Sequence, residues 1–319
     1  MRPAAVTSAD EDFDHLTAPF RAELLAYCYR MLGSLHDAED QLQETLLRAW
    51  RSYDGFQGRA SLRTWLYRIA TNTCLRALET RGRRPLPSGL GGPSADSEAA
   101  LITASPQTAW LQPYPDDPAA VHTARAGMRL ALIAALQHLT PRQRAVLILR
   151  DVLGWRAAEV AELLGTSTAA VASALQRARA QLRRAALIEE DVSEPSDQQL
   201  RVLLTRYASA FENADMTALM DVLTEEAALE MPPHLTWFTG RELVVRFLAA
   251  KALHTRGAVR MVPTSANGQP AFGTYRRGPD GGHHPQSLQV LTVTATGVTH
   301  VVAFHDPSLF PAFGLPASL

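Results

Sequence analysis

The sequence predicts a multi-domain protein in which two all-α domains are followed by a C-terminal α+β domain. Apolar residues recur at helical spacing over residues 16–78 and again over residues 121–188. A Pro-rich stretch, residues 85–120, separates these two helical segments. Residues 198–319 combine helical patterns with runs that alternate apolar and polar residues and are rich in Val and Thr, as β-strands are.

The first helical segment contains three predicted helices. The first has an apolar stripe and ends at Gly33-Ser34. The second, DAEDQLQETLLRAWRSY, begins at Asp37 and places apolar residues on one face. Ser61 caps the third, SLRTWLYRIATNTCLRALET. We therefore expect a small helical bundle.

Residues 85–120, hereafter the linker, have the composition of an extended connection. The patch WLQPYPDD is unusual for a simple tether, since exposed aromatic side chains favour a binding surface. We expect Trp110 and Tyr114 to dock on a surface rather than to stay in solvent.

Residues 156–187 have the spacing of a helix-turn-helix. Gly165 permits a left-handed turn, Ser167 can cap the following helix, and Ala161 is small where the two helices would cross. Residues 121–188 carry ten Arg against three acidic residues, a local net charge of +7, whereas residues 189–319 have a local net of −5. This asymmetry favours a nucleic-acid-facing segment beside an acidic module. An ordinary helical hairpin with a solvated Arg face is the alternative.

The sequence pattern of residues 198–319, hereafter the tail, predicts helices at residues 199–213, 216–223 and 240–253. Its predicted strands are ALEMPP, AVRMVP, AFGTYRR, SLQVLTVTATG and VTHVVAFHD. These elements indicate an α+β domain over residues 198–319.

Composition excludes several classes of protein. No stretch is long and apolar enough for a membrane span. Two cysteines are too few for a disulfide framework or a structural zinc site. We expect neither a metal nor a cofactor. The acidic N-terminal residues are unlike a secretory signal, and we expect a cytoplasmic protein.

Two stretches resemble parts of bacterial sigma-70 factors. YCYRMLGSLHDAEDQLQETLLRAW, followed by FQGRASLRTWLYRIATN, resembles region 2, and LTPRQRAVLILRDVLGWRAAEVAELLGTSTAAVASALQRARAQL resembles region 4. With no region 3 between them, the arrangement is similar to the extracytoplasmic-function (ECF) group. The C-terminal extension and the WLQPYPDD patch are similar to its SigG-like subgroup. The resemblance assigns region 2 to residues 16–84 and region 4 to residues 121–188.

This resemblance implies that the protein binds core RNA polymerase, through the β′ clamp helices and the β flap, and also binds promoter DNA. Whether a separate anti-sigma protein exists stays open. The positions implied to contact the clamp helices are Asp37, Asp40, Gln43, Glu44, Leu47 and Arg48. A solvated amphipathic helix is the alternative for this segment.

The resemblance also implies two sets of DNA contacts. For the −10 element they are Phe56, Arg59, Ser61, Arg63, Trp65, Arg68, Asn72 and Arg76, although Trp65 could equally be a core residue. For the −35 element they are Ser167, Thr168, Ala170, Ala172, Ser173, Arg177 and Arg179. Family members often have Asn where this chain has Ala172, so no −35 sequence is predicted.

The tail resembles a SnoaL-like domain, a cone-shaped α+β fold. The resemblance rests on YASAFENADMTALMDVLTEEAALEMPP and on the spacing of Trp237 and Gly240. Candidate cavity residues are Met231, Trp237, Phe238, Tyr275, Phe304 and His305, with packing in a core as their alternative role. Neighbouring residues on a strand point to opposite faces, so His305 and Asp306 are not expected to form an acid–base pair.

We therefore expect a non-enzymatic sigma factor that promotes transcription initiation and is regulated by its fused C-terminal domain. Two alternatives remain. One is a helix-turn-helix regulator that acts without core polymerase, which would leave the region 2 resemblance unexplained. The other is a SnoaL-like enzyme fused to a DNA-binding module.

Overall fold

The structure is a computed structural model that describes residues 8–58, 60–80, 82–116, 129–186, 195–253 and 255–319. The chain forms two compact units. The first comprises residues 1–83 and 131–187, and the second comprises residues 84–130 and 188–319. No helix in the described part of the chain has the length and hydropathy that a bilayer span requires.

Four helices form the N-terminal part of the first unit. Gly33, with φ of 70°, ends the second helix, and Ser34 caps the third. Their shared core includes the buried Tyr27, whose hydroxyl lies 2.8 Å from Thr71 Oγ1. The helices are α1 (Ser8–Thr17), α2 (Arg21–Leu32), α3 (Leu35–Ser52) and α4 (Leu62–Thr80).

The remaining helices of the first unit include the helix-turn-helix. They are α5 (Leu130–Leu136), α6 (Pro141–Leu147), α7 (Ala157–Leu164) and α8 (Thr168–Ala186), with a π-helical turn, Ile148–Val152, after α6. Gly165 adopts a φ of 60° at the end of α7, and Ser167 Oγ accepts the N–H of Ala170 at 3.1 Å. Val160 and Val171 are buried between α7 and α8, as the sequence pattern predicts.

The second unit contains a six-stranded mixed sheet in the order β2-β1-β6-β5-β4-β3. All neighbouring strands are antiparallel except β1 and β6, which are parallel. The strands are β1 (Leu223–Glu230), β2 (Phe238–Thr239), β3 (Val259–Ala266), β4 (Gln269–Arg277), β5 (His283–Thr294) and β6 (Gly297–Phe304). The helices are α9 (Asp197–Asn213), α10 (Met216–Val222) and α11 (Arg241–Lys251).

Both faces of this sheet are covered. Helices α9, α10 and α11 pack on one face around a core that includes Tyr207, Phe247 and Leu291. On the other face, the final 3₁₀ segment (Pro307–Phe313) and the residues after it pack closely, since a Cβ at Gly273 would lie 2.7 Å from Leu315 Cδ1 and 3.3 Å from Phe310 Cε1. The predicted fold class, helical domains followed by an α+β domain, is confirmed.

Candidate nucleic-acid interface

The outer face of α3 is the surface predicted to bind core polymerase. Burial of Ala38, Leu46 and Ala49 against the bundle fixes which side of the helix faces solvent. The carboxylate of Glu44 and the guanidinium of Arg48 form an ion pair along the helix. Of the predicted contacts, Asp40, Gln43 and Leu47 are exposed, and Asp37, Glu44 and Arg48 are half-buried.

Trp50 extends this outer face and was missed by sequence reasoning. Its side chain is 48% exposed, and Leu47, three residues earlier, is 41% exposed. Residues three apart on a helix lie side by side, so the two side chains form an apolar strip among polar ones. Helical spacing from Gln43 through Leu47 would have been the signal for it.

An aromatic cluster lies beside the start of α4. The Phe56 and Trp65 rings have centroids 4.9 Å apart, and Tyr53 lies 6.3 Å from Phe56 and 6.4 Å from Trp65. Phe56 and Trp65 are both half-buried. Their rings therefore pack on each other while leaving part of their surface accessible, which suits stacking with an unpaired base.

Two of the arginines predicted to contact the −10 element already have protein partners. Arg63 donates to both carboxylate oxygens of Glu23 at 2.8–3.1 Å, and its guanidinium lies 5.1 Å from the Tyr67 ring centroid. Hydrogen bonding to Glu23 raises the pKa of Arg63 above its usual value. Arg68 Nη2 lies 3.3 Å from Glu162 Oε1.

The other predicted −10 contacts differ in their surroundings. Asn72 and Arg76 are exposed on α4 and have no hydrogen-bond partner among the described residues. Ser61 Oγ accepts the N–H of Thr64 at 3.1 Å, so this hydroxyl caps α4. Arg59 lies outside the described residues.

The N-terminal end of α8 presents the residues predicted for the −35 element. A recognition helix enters the major groove with this end near the base edges. Arg179 differs from the rest because Asp151 holds its guanidinium through two hydrogen bonds of 2.6 and 2.8 Å, which raise the pKa of Arg179. The exposed predicted residues are Ser167, Thr168, Ala170, Ala172, Ser173, Arg177 and Arg179.

Comparison with known proteins identifies the family. A model described as Sigma-70 region 2 matches residues 16–84, and one described as Sigma-70, region 4 matches residues 129–182. The chain is 53% identical to the ECF RNA polymerase sigma factor SigG of Mycobacterium tuberculosis, over 98% of this chain and 86% of that protein. The chain belongs to the ECF sigma factor family. As a sigma factor it binds core RNA polymerase, recognises promoter DNA and promotes transcription initiation.

A second relative supports the fold of this ECF sigma factor. The SigJ sequence of M. tuberculosis is 30% identical over 72% of this chain and 69% of that protein. The crystal structure of SigJ matches with a TM-score of 0.62 and 23% identity, covering 94% of this chain and 100% of that chain. The two proteins therefore share a fold.

Within the first unit, sigma regions 2 and 4 pack against each other. The buried Trp155 of region 4 lies 5.3 Å from Tyr67 of region 2, measured between ring centroids. Arg144, also buried, donates to the carbonyl oxygen of Met31 and to Gln137 Oε1. Burial lowers the pKa of Arg144 to about 10, so it remains charged at neutral pH. Region 4 thus covers part of the surface of α4, the helix that carries most of the residues predicted to contact the −10 element.

The linker of this sigma factor forms hydrogen bonds along the C-terminal domain. Ser88 donates its N–H and its hydroxyl to the Glu230 carboxylate, at 2.7 and 3.1 Å. Further along, the N–H of Ser94 donates to the Trp237 carbonyl, and the indole Nε1–H of Trp237 donates to the Gly91 carbonyl. Glu230 is buried, so the linker supplies partners that this carboxylate requires.

The middle of the linker pairs with the segment between β1 and β2. The N–H of Leu235 donates to the Ile102 carbonyl at 2.7 Å. Thr236 Oγ1 accepts the N–H of Ile102 at 3.0 Å and donates to the Ala100 carbonyl at 3.1 Å. The N–H of Ala104 donates to the Pro233 carbonyl. This part of the linker is therefore joined to the domain through its backbone.

The WLQPYPDD patch is also held by the second unit. The N–H of Tyr114 donates to Asn267 Oδ1, and the N–H of Asn267 donates to the Tyr114 carbonyl, both at 2.9 Å. Arg84 Nη1 donates to the Trp110 carbonyl at 2.8 Å. Backbone groups of the patch thus join Tyr114 to the turn between β3 and β4 and Trp110 to Arg84.

A cavity of about 110 Å³ opens between the helices and the sheet of the C-terminal domain. Met231 and His305, both predicted cavity residues, line it. Phe238 stacks on Phe247 in the helical core, while Tyr275 packs edge-on against Phe310 on the other face of the sheet. The predicted cavity residues outside this lining are Trp237, Phe238, Tyr275 and Phe304.

Two acidic residues of the C-terminal domain cap helical segments. Asp306 accepts the N–H and the hydroxyl of Ser308 and caps the final 3₁₀ segment, while Asp215 caps α10. His305 packs against His234, with ring centroids 5.6 Å apart. Among the described residues, no group of three or more His, Cys, Asp or Glu is placed to hold a metal ion.

Proposed function

We propose that the C-terminal domain inhibits this sigma factor by holding the linker, which keeps regions 2 and 4 together. The observation that carries the proposal is the series of hydrogen bonds between the linker and the C-terminal domain. The −10 and −35 elements lie roughly 70 Å apart, about two turns of DNA. Regions 2 and 4 cannot reach both while Trp155 lies on Tyr67, so promoter binding requires a linker free to extend.

The outer face of α3 is our proposed contact with the β′ clamp helices, and region 4 is the proposed contact with the β flap. Exposed Asp40 and Gln43 beside the apolar Leu47 and Trp50 support the first assignment. Polar groups set the orientation of an interface, and desolvated aromatic and aliphatic side chains contribute most of its affinity.

The proposed DNA contacts are also of two kinds, to bases and to the phosphate backbone. We propose that Phe56 and Trp65 stack with an unpaired base of the −10 element and that Asn72 hydrogen-bonds to a base edge. Arg63, Arg68 and Arg76 would then contact phosphates. The start of α8 would read the −35 element, with Arg177 and Arg179 on the flanking backbone.

The regulatory proposal is tested by weakening the linker contacts in the full-length protein. The double variant Thr236→Val, Trp237→Phe removes three linker hydrogen bonds. At about 0.5–1.5 kcal/mol each, their loss shifts the equilibrium toward the released form by roughly tenfold or more. In vitro transcription with core polymerase on genomic DNA should yield more transcript from unchanged start sites.

Thr299→Val is the matched control, because this hydroxyl donates to the Thr292 carbonyl within the sheet. It should leave transcript levels unchanged. Equal or lower transcript from the double variant would contradict inhibition by the C-terminal domain. Absence of start sites with every form, wild type included, would instead contradict the assigned polymerase and promoter contacts.

The proposed role is non-enzymatic and belongs in the cytoplasm, where DNA and RNA polymerase are found. The positions of Asp215 and Asp306 support the first statement, since each carboxylate is engaged in capping a helix. His305 packs against a second histidine rather than a carboxylate.

A further inference from the structure

The cavity of the C-terminal domain is apolar at one end and polar at the other. Its apolar lining includes Phe211, Leu229, Met231, Phe247 and Val259. Its polar lining comprises Lys251, Thr274, Arg276, Gln286, Ser287, Gln289 and His305. A site with a large apolar surface and a few converging polar groups suits a small amphipathic molecule.

The charged groups of the cavity are both cations. Arg276 donates from Nε to Gln286 Oε1 and from Nη2 to the Ala252 carbonyl, both at 3.1 Å, so two hydrogen bonds fix its guanidinium plane. Lys251 is exposed at the edge of the cavity. No Asp or Glu is among the described residues that line it. The cavity is therefore suited to an anion.

Two neutral groups add to this polar end. Gln289 is buried, and its Oε1 accepts the Tyr207 hydroxyl at 2.9 Å, while its Nε2 has no hydrogen-bond partner among the described residues. Burial lowers the pKa of His305 to about 4, so its imidazole is neutral at pH 7. The amide of Gln289 can therefore donate a hydrogen bond to a ligand oxygen.

We propose that this cavity binds a small carboxylic acid as its anion, with the apolar body among the aromatic residues and the carboxylate at Arg276, Lys251 and Gln289. A buried carboxylate is stable only when cations and donors pair with it, and arginine does so with well-defined geometry. A neutral molecule of the same shape lacks this pairing and binds more weakly.

The linker contributes Leu101 to the same cavity, which couples the ligand to the regulation proposed above. A cavity of about 150 Å³ accommodates benzene. The present 110 Å³ is smaller, and we infer that a ring-containing acid displaces the Leu101 side chain, which is 38% exposed. Leu101 lies between Ala100 and Ile102, both hydrogen-bonded to Thr236. The acid therefore binds best when this part of the linker is released, and its binding favours the released state.

The probe for this site is benzoate, with benzamide as its uncharged counterpart, titrated calorimetrically into the full-length protein. Benzoate should bind at least tenfold more tightly than benzamide. Arg276→Gln should reduce benzoate affinity about tenfold, and Lys251→Gln, at an exposed position, about threefold. Arg277→Gln is the matched control, because Arg277 neighbours Arg276 but lies outside the lining. Equal binding of benzoate and benzamide would overturn the proposal.

The linker part is tested with Leu101→Ala, which should increase benzoate affinity severalfold, because less of the cavity has to be vacated. Leu90→Ala, at another exposed linker leucine, should not. Benzoate should also accelerate hydrogen exchange at the Ile102 amide. No benzoate binding to Leu101→Ala would overturn the site, and binding with unchanged exchange would overturn the coupling. Calorimetry requires no polymerase, so either failure is distinguishable from failure of the proposed inhibition.

Discussion

The indole ring of Trp65 is packed against the protein on one part of its surface and exposed to solvent on another. Its contacts with Phe56 and Tyr53 hold the indole in place, and its partial exposure leaves surface for a base. Stacking of a base on an aromatic side chain contributes about 1–3 kcal/mol. We expect Trp65→Ala to reduce the equilibrium amount of open promoter complex by roughly 5- to 150-fold, measured by permanganate reactivity of the melted strand.

Two comparisons separate stacking from folding. Trp65→Phe retains a ring and should recover most of the open complex. Thermal unfolding of Trp65→Ala should be lowered, because the ring packs on Phe56 and Tyr53, while the protein stays folded at the temperature of the assay. An open-complex signal unchanged in Trp65→Ala would show that this residue is merely part of the core.

His305 makes the stability of the C-terminal domain depend on pH. Its pKa is about 4 in the folded protein, lowered first by burial and then by the charges of His234 and Arg276, against about 6.5 for an exposed histidine. As pH falls below 6.5 the unfolded chain binds the proton first, so stability is lost between about pH 6.5 and pH 4. The loss between pH 7 and pH 5 is about 2 kcal/mol.

We expect His305→Gln to lack this loss, as seen by comparing its thermal unfolding with that of the wild type at both pH values. An identical pH response in wild type and His305→Gln would show that another group is responsible.

At the scale of elements, helix α3 has an apolar face buried in the bundle and an outer face that is polar except for the exposed strip of Leu47 and Trp50. Leu47→Asp places a charge in the exposed apolar strip formed with Trp50 and should weaken binding to core polymerase at least tenfold. Fluorescence-detected titration of core polymerase measures this. The matched control is Leu90→Asp, at an exposed linker leucine, and equal weakening by both variants would exclude a specific role for α3.

Elements with local sequence signals were predictable. Gly165 and Ser167 mark the turn between α7 and α8 because one residue needs a positive φ and the other caps a helix. The strands from β3 to β6 follow from alternation and β-branched residues. The strand β2 was missed, because two residues carry no periodicity.

The docking of the linker had no local signal. Its hydrogen bonds join backbone groups far apart in sequence, such as those of Ile102 and Leu235, and any side chain can accompany such pairing. The Trp110 and Tyr114 patch indicated docking without showing where. The cavity lining was only partly predicted, because alternation does not tell which face of a sheet lies toward the helices: Met231 lies there and Tyr275 does not.

At the scale of the molecule, regions 2 and 4 of the first unit restrain one another. The contact of Arg68 with Glu162 is an exposed ion pair, and such pairs contribute up to about 1 kcal/mol. Glu162→Gln removes it and frees Arg68, so we expect promoter DNA affinity of the full-length protein to rise by up to about fivefold, measured by fluorescence anisotropy.

Glu159→Gln is the matched control, because Glu159 lies on the same helix and pairs with Arg156 beside it. It removes the same charge without releasing any −10 candidate. If both variants raise affinity equally, the effect is a general change in charge and regions 2 and 4 do not restrain each other through this pair.

The attachment of the linker to strands that come later in the chain has a consequence for protein synthesis. Both sigma regions have emerged from the ribosome before β6, which completes the sheet that holds the linker, has been made. At about 5–20 residues per second, this interval lasts on the order of 10 s. A nascent chain therefore passes through a period in which its sigma regions are complete and its restraint is absent. Slow translation of the last third of the message would lengthen that period.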